Sequence, residues 1–169
     1  MTTRLPRQSA PDRSPDRRLD GRRESACIGV FDSGVGGLSV LRAVHRSLPE
    51  TPMVYVGDAS HAPYGERSAV EVVERCERIV RHLVACGSQL IVVACNTATA
   101  LAIDHLRQRW PQLNFVGVEP GVRPAAALSQ ARRIGVLGTP ATAASARLRT
   151  LIEQHAAGVQ VKVQLLPIL

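Results

Sequence analysis

Residues 27–47 read Cys-Ile-Gly-Val-Phe-Asp-Ser-Gly-Val-Gly-Gly-Leu-Ser-Val-Leu-Arg-Ala-Val-His-Arg-Ser. A short apolar run ends in a polar, glycine-rich loop, and an amphipathic stretch follows. That order is strand, tight turn, helix. The unit recurs along the chain. Apolar runs at 27–31, 53–56, 89–94, 114–118, 133–137 and 160–165 alternate with helical stretches at 37–47, 67–86, 97–109, 120–130 and 142–154. The alternation predicts an α/β fold, a parallel sheet flanked by helices on both faces. The clearest helix is 67–86, where Val70, Val73, Ile79, Val80, Leu83 and Val84 recur near helical spacing.

Composition supports this class. Hydrophobic residues are 45% of the 169, but aromatics only 3%, so the core must be built from Val, Leu, Ile and Ala. Such a mixture suits buried parallel strands covered by Ala-rich helices. The formal charge is +7, carried almost wholly by Arg, with Lys162 the single lysine. Residues 1–26 hold seven Arg against four acids, are rich in Pro and Ser and lack apolar periodicity. They read as a disordered Arg/Pro-rich tail. Elsewhere Arg is scattered along helices beside Glu71, Glu74 and Glu77, with no aromatic interleaving for base stacking. A nucleic-acid role is therefore not expected. No transmembrane run occurs, and the N-terminus lacks the apolar segment of a secretory signal. The four cysteines (Cys27, Cys76, Cys86, Cys95) show no CxxC spacing. Reduced thiols in a cytoplasmic protein fit better than a zinc site or disulfide framework.

In open parallel sheets, ligands sit outside the carboxyl ends of the strands. Four polar segments fall there: Asp32 to Gly37, Gly57-Asp58 with Ala62 to Gly65, Ala94 to Thr99, and Gly138 to Thr142. All four can converge on one crevice. The first offers a carboxylate, a hydroxyl and backbone N–H groups, a set suited to a zwitterion. A dinucleotide loop is its rival, since Asp58 follows Gly34 at about the distance of a ribose-binding acid. Against that, Ser39 occupies the third glycine position, and the Asp32 charge would oppose a pyrophosphate. A plain glycine turn is the third reading. Cys95 lies between a buried strand and a helix N-terminus, where N–H groups favour a thiolate and lower its pKa; a merely buried cysteine is equally open. Asn96 and Thr97 can bind a ligand or cap the helix. The Tyr64 phenol could reach a ligand from its loop, or Pro-Tyr-Gly is an ordinary turn. The hydroxyls of Thr139 and Thr142 could bind a carboxylate or cap the helix near Ala143. Cys27, Cys76 and Cys86 read as packing residues. His61 could approach the site, whereas His45, His82, His105 and His155 belong to helix surfaces or packing.

Together, residues 28–40, 57–65, 92–100 and 134–142 resemble the glutamate racemases of the aspartate/glutamate racemase superfamily, in order and spacing, over roughly residues 28–165. The resemblance implies inversion of glutamate at Cα without pyridoxal phosphate or metal, so no cofactor. One cysteine thiolate removes the α-proton and a second cysteine protonates the opposite face. Cys95 would be one of the pair. Asp32 and Ser33 would hold the substrate and orient Cys95. Tyr64 and Gly65 would bind the carboxylate end, Asn96 and Thr97 the amino-acid group, and Thr139 and Thr142 would be further contacts. The implied product, D-glutamate, serves peptidoglycan synthesis and so cell shape, and the implied assembly is a homodimer.

The family fold has two pseudo-symmetric α/β domains facing one cleft. On that template residues 27–118 form the first domain, without its returning elements, and 119–169 begin a second, truncated one. Nothing here matches the Gly-Cys-Thr-His segment that carries the opposite-face cysteine. The expectation is a fragment with one catalytic cysteine, which by itself does not convert L- to D-glutamate. A non-catalytic glutamate-binding or regulatory half-domain, and a nucleotide-binding α/β protein resting on Gly34, Gly36 and Asp58, are the alternatives.

Overall fold

The computed structural model describes residues 27–166; the Arg/Pro-rich tail at 1–26 lies outside the described residues. Six strands and six α-helices alternate. They are β1 (Cys27–Asp32), α1 (Leu38–Ser47), β2 (Met53–Gly57), α2 (Ala69–Ala85), β3 (Ser88–Val93), α3 (Asn96–Arg109), β4 (Asn114–Gly117), α4 (Val122–Leu128), β5 (Arg133–Gly138), α5 (Pro140–Ala144), α6 (Ala146–His155) and β6 (Gln160–Leu165). Two single 3-10 turns, Ala59–His61 and Tyr64–Glu66, carry the loop from β2 to α2. Every strand pairing is parallel.

The larger sheet has the order β2-β1-β3-β4, and β5 and β6 form a separate two-stranded sheet. Strand alternation divides the larger sheet's side chains between two cores. Ile28, Val30, Val92 and Ala94 face Val40, Leu41 and Val44 of α1. Phe31, Ile91, Val93 and Cys95 face α2 and α3, packing with Val72, Ile79, Leu83, Ile103 and Leu106. Helices thus cover both faces, as the alternation predicts. A third core joins Val122, Val136, Leu148 and Ala156 under the small sheet.

The helix ends have identifiable causes. Ser68 and Glu71 form a capping box at the start of α2, so that helix begins after Ser68 rather than at 67. At its other end Gly87 takes φ +88, a conformation that favours glycine, and its N–H returns to the Val84 carbonyl. The buried stripe of α2 is Val72, Cys76, Ile79, Val80 and Leu83. Val70 and Val84, expected in that stripe, are exposed. The helix expected over 142–154 is two helices. Thr139 caps α5 with Pro140 in its first turn, and Ser145, in extended conformation, caps α6.

Candidate functional site

The sheet order places the site. From β1 the chain runs through α1 to β2 on one side; β3 then adds on the other side of β1. The carboxyl ends of β1 and β3 therefore lie side by side where the connections diverge, the position at which open α/β sheets bind ligands. A crevice of about 750 Å³ opens there. Asp32, Ser33, Gly34, Tyr64, Gly65, Cys95, Asn96, Thr97, Thr139 and Thr142 all line it, and Val118, Pro120 to Val122 and the β5 residues Ile134 to Leu137 complete it. The residues that the resemblance offers as catalytic or substrate-binding thus reach one cavity, although Cys95 is 62 positions from Ser33 in the chain; His61 and Asp58 do not.

Asp32 is buried, and its Oδ2 accepts the N–H groups of Gly34 (3.2 Å) and Gly37 (2.9 Å). The carboxylate thereby holds the turn into α1 closed. Tyr55, unmarked by any sequence signal, donates its hydroxyl to the Gly34 carbonyl at 3.0 Å. Burial, then the charges of Asp32 and Cys95, push its phenol above the usual range.

Cys95 is itself the N-cap of α3, its Sγ accepting the Ala98 N–H at 3.5 Å. The cap expected of Thr97 is thus supplied by the thiol, and Asn96 and Thr97 become the first two helical residues. Their N–H groups have no hydrogen-bond partner among the described residues. The Cys95 thiol also lies 3.5 Å from the Ser33 hydroxyl. The depressed pKa expected for a helix N-terminus does not result. Burial raises the Cys95 thiol above its ordinary value; the Ala98 and Ser33 hydrogen bonds lower it by less, and Asp32 adds to the rise.

The Tyr64 expectation changes too. Tyr64 is 1% exposed, and its hydroxyl donates to Asp58 Oδ2 at 2.7 Å. The phenol is committed to that carboxylate, so the loop offers the crevice its backbone and ring. The N–H groups of Tyr64 and Gly65 have no partner among the described residues. Asp58 also accepts Nε (3.0 Å) and Nη2 (2.8 Å) of Arg75, and it lies 3.0 Å from His61 Nδ1. Burial alone would raise the Asp58 carboxyl, but hydrogen bonds from Arg75, Tyr64 and His61 hold it below the usual range. An acid so engaged has little left to offer a ribose, which weakens the nucleotide reading. His61 is spent on Asp58 and does not line the crevice. Arg75 carries no sequence signal, being one of three Arg on α2.

Thr97, Thr139 and Thr142 are buried and linked through their hydroxyls, Thr97 to Thr139 at 3.0 Å and Thr139 to Thr142 at 3.2 Å. Thr139 also caps α5 by accepting the Thr142 N–H, the capping role expected of one of the pair. Outside the crevice, Cys76 is fully buried and its thiol is raised by that burial. Cys27 is half-buried against Ser88. Cys86, expected to pack, is exposed at the end of α2 with Sγ 3.7 Å from His82 Nε2. All four cysteines are free. His45, His82, His105 and His155 are exposed on helices. Among the described residues no group of three His, Cys, Asp or Glu could hold a metal, and no helix is long and apolar enough to cross a membrane.

A family model described as Asp/Glu/Hydantoin racemase matches residues 28–166. The glutamate racemase of Pseudomonas aeruginosa strain UCBPP-PA14 is 52% identical over 144 residues, covering 85% of this chain and 54% of that protein. The glutamate racemase of Ectopseudomonas mendocina is 50% identical over 145 residues, 86% of this chain and 55% of its own length. Among solved structures, Escherichia coli glutamate racemase in complex with L-glutamate and the activator UDP-MurNAc-Ala superposes with a TM-score of 0.75 at 37% identity, covering 82% of this chain and 52% of that one. The Aquifex pyrophilus glutamate racemase gives 0.73 at 38% identity, covering 82% and 54%. The chain spans about half the length of the curated relatives it matches. A family match over almost the whole described length, on the same parallel-sheet fold, shows that this chain belongs to the Asp/Glu/Hydantoin racemase family.

Proposed function

We propose that this chain forms the part of a glutamate racemase that binds free glutamate and serves one face of its Cα. The observation that carries the reading is the placement of the Cys95 thiol. It stands at the carboxyl end of β3, beside Ser33 and above the free N–H groups of Asn96 and Thr97, in a cavity that Asp32 also lines. Asp32 and Ser33 hold the ammonium end of the amino acid, and unpaired N–H groups at Tyr64, Gly65, Asn96 and Thr97 take its carboxylates. Thr139 and Thr142 close the far side of the site.

Cys95 acts as the acid/base. As thiolate it takes the α-proton, leaving a carbanion stabilised by the hydrogen-bonded carboxylate; as thiol it returns a proton to the same carbon. A thiol raised by burial is a stronger base once ionised, and the Ala98 and Ser33 hydrogen bonds offset part of that rise. Inversion also needs a donor on the opposite face, because one fixed base returns the proton where it came from. Cys95 is the one thiol among the crevice residues described, so the second group comes from elsewhere than this lining. No cofactor takes part. The D-glutamate so formed supplies peptidoglycan synthesis, in a cytoplasmic enzyme assembled as a homodimer. Its relatives' names support the racemase part of this reading, and the free thiols its compartment.

Deuterium exchange at Cα tests it. In D2O the chain incorporates label into glutamate at Cα without net conversion of L to D, and Cys95→Ala abolishes the exchange. Binding of glutamate with no exchange points to the non-catalytic half-domain, an alternative supported by the same single thiol. Absence of both binding and exchange would falsify the glutamate reading.

A further inference from the structure

Behind the crevice lies a polar cluster that meets it only through Tyr64. Asp58, 7% exposed, accepts from Tyr64, His61 and both Nε and Nη2 of Arg75. Arg67 Nε in turn donates to the His61 carbonyl. Arg75 reaches the carboxylate from the middle of α2, with the two-pronged geometry that only a guanidinium supplies. Neither Asp58 nor Arg75 lines the crevice, but Tyr64 does. The Tyr64 ring also packs in the same core as Cys95. Besides this tether and the packing of the Tyr64 ring, the turn at Tyr64–Glu66 is held by its own local bonds, Glu66 N–H to Pro63 and Arg67 N–H to Tyr64, and by Gly65 against Thr139.

We propose that Arg75 is a positioning residue for ligand binding: its fork on Asp58 fixes the Tyr64 phenol and so aims the Tyr64 and Gly65 N–H groups at an anionic group in the crevice. The inference rests on the glutamate reading above. Without Arg75 the Asp58 carboxylate is a buried charge with too few partners. It takes up a proton or turns toward water, and in either case the acceptor that holds Tyr64 is weakened. The turn then samples other conformations, and the two N–H groups no longer point one way.

The test uses the full chain with Arg75→Met, Arg75→Lys and Tyr64→Phe, below the unfolding temperature of each. Two quantities are read: glutamate affinity by titration, and amide hydrogen exchange by NMR at Glu66 and Arg67, whose N–H groups close the Tyr64 turn. Arg75→Met is expected to weaken affinity about tenfold, the scale of one lost charged hydrogen bond. Arg75→Lys, with the charge but not the fork, recovers to within about threefold. Exchange at Glu66 and Arg67 rises about tenfold while that at Leu41 and Thr99, bonded to Gly37 and Cys95, holds. A lower melting temperature with unchanged affinity and unchanged Arg67 exchange overturns the proposal and leaves Arg75 a stability residue. If Arg75→Met does not fold, Tyr64→Phe decides, since it cuts the phenol contact and spares the ion pair; unchanged affinity and exchange there overturn the proposal. If the parent chain binds no glutamate, the glutamate reading fails, and Arg67 exchange alone settles the positioning role.

Discussion

The loop after β1 holds three glycines, and the structure separates Gly34 from Gly37. A Cβ built on Gly34 meets nothing within 4 Å, whereas one on Gly37 would lie 2.5 Å from Asp32 Cβ, 3.1 Å from Ala94 Cβ and 3.1 Å from the Tyr55 hydroxyl. Two of those neighbours are methyl or methylene groups fixed to strand backbone, so they cannot swing away. Gly37→Ala must push Asp32 off its hydrogen bond to the residue-37 N–H, now 2.9 Å. Overpacking of this kind costs about 1–3 kcal/mol. Replacing glycine also stabilises by roughly 0.4–1 kcal/mol through the unfolded chain, because φ at Gly37 is −62° and suits alanine. The net expectation is a loss of about 1–2 kcal/mol for Gly37→Ala and no loss for Gly34→Ala. With a urea dependence of about 1–3 kcal/mol per molar, the unfolding midpoint of Gly37→Ala should fall by roughly 0.5–1 M. Equal midpoints for the two variants would refute the claim that the Asp32 turn is packed this closely.

The acid limb of stability should depend on Asp58. Its folded pKa is depressed, so its contribution is complete above the unfolded value of about 3.9 and is lost as pH falls from there through the folded pKa. Urea midpoints measured from pH 6 downward should therefore drop less steeply in Asp58→Asn than in the parent. Thiol labelling should rank the cysteines by exposure: Cys86 reacts first, Cys95 only as pH climbs past its raised pKa, and Cys76 only on unfolding. Loss of the fast phase in Cys86→Ser checks the order; a fast phase that persists contradicts it. Ser68→Ala removes the α2 cap and should cost about 1 kcal/mol in chemical unfolding.

The sequence is most transparent where a local pattern decides the outcome. All six strands fall within a residue or so of their runs; in the larger sheet this is because a buried parallel strand needs little more than an apolar run bounded by polar loops. Helix phase is less transparent. Val70 and Val84 share the spacing of the buried valines in α2, but the capping box at Ser68 and the packing against α3 turn them to solvent. The break at Ser145 was also signalled, by two serine or threonine caps close together, but an apolar run over both helices masks it.

The site divides along the same line. Which residues meet was legible, because topology alone brings the ends of β1 and β3 together: a strand order of β2-β1-β3-β4 cannot be built without setting Ser33 beside Cys95. What those residues do once there was not, because it depends on burial and on partners remote in sequence. The Ala98 N–H and the helix end do favour a Cys95 thiolate, as its position suggests, yet burial outweighs them and the thiol is raised. Tyr64 does stand at the crevice, yet Asp58, itself held by Arg75 17 positions away, claims its hydroxyl. Position in this fold is therefore set by strand order, and chemical character by the layer of residues behind the crevice. A substitution at Arg75 or Asp58, in contact with no ligand, should then alter binding more than one at Val35, which lines the crevice but is 74% exposed and ties nothing down.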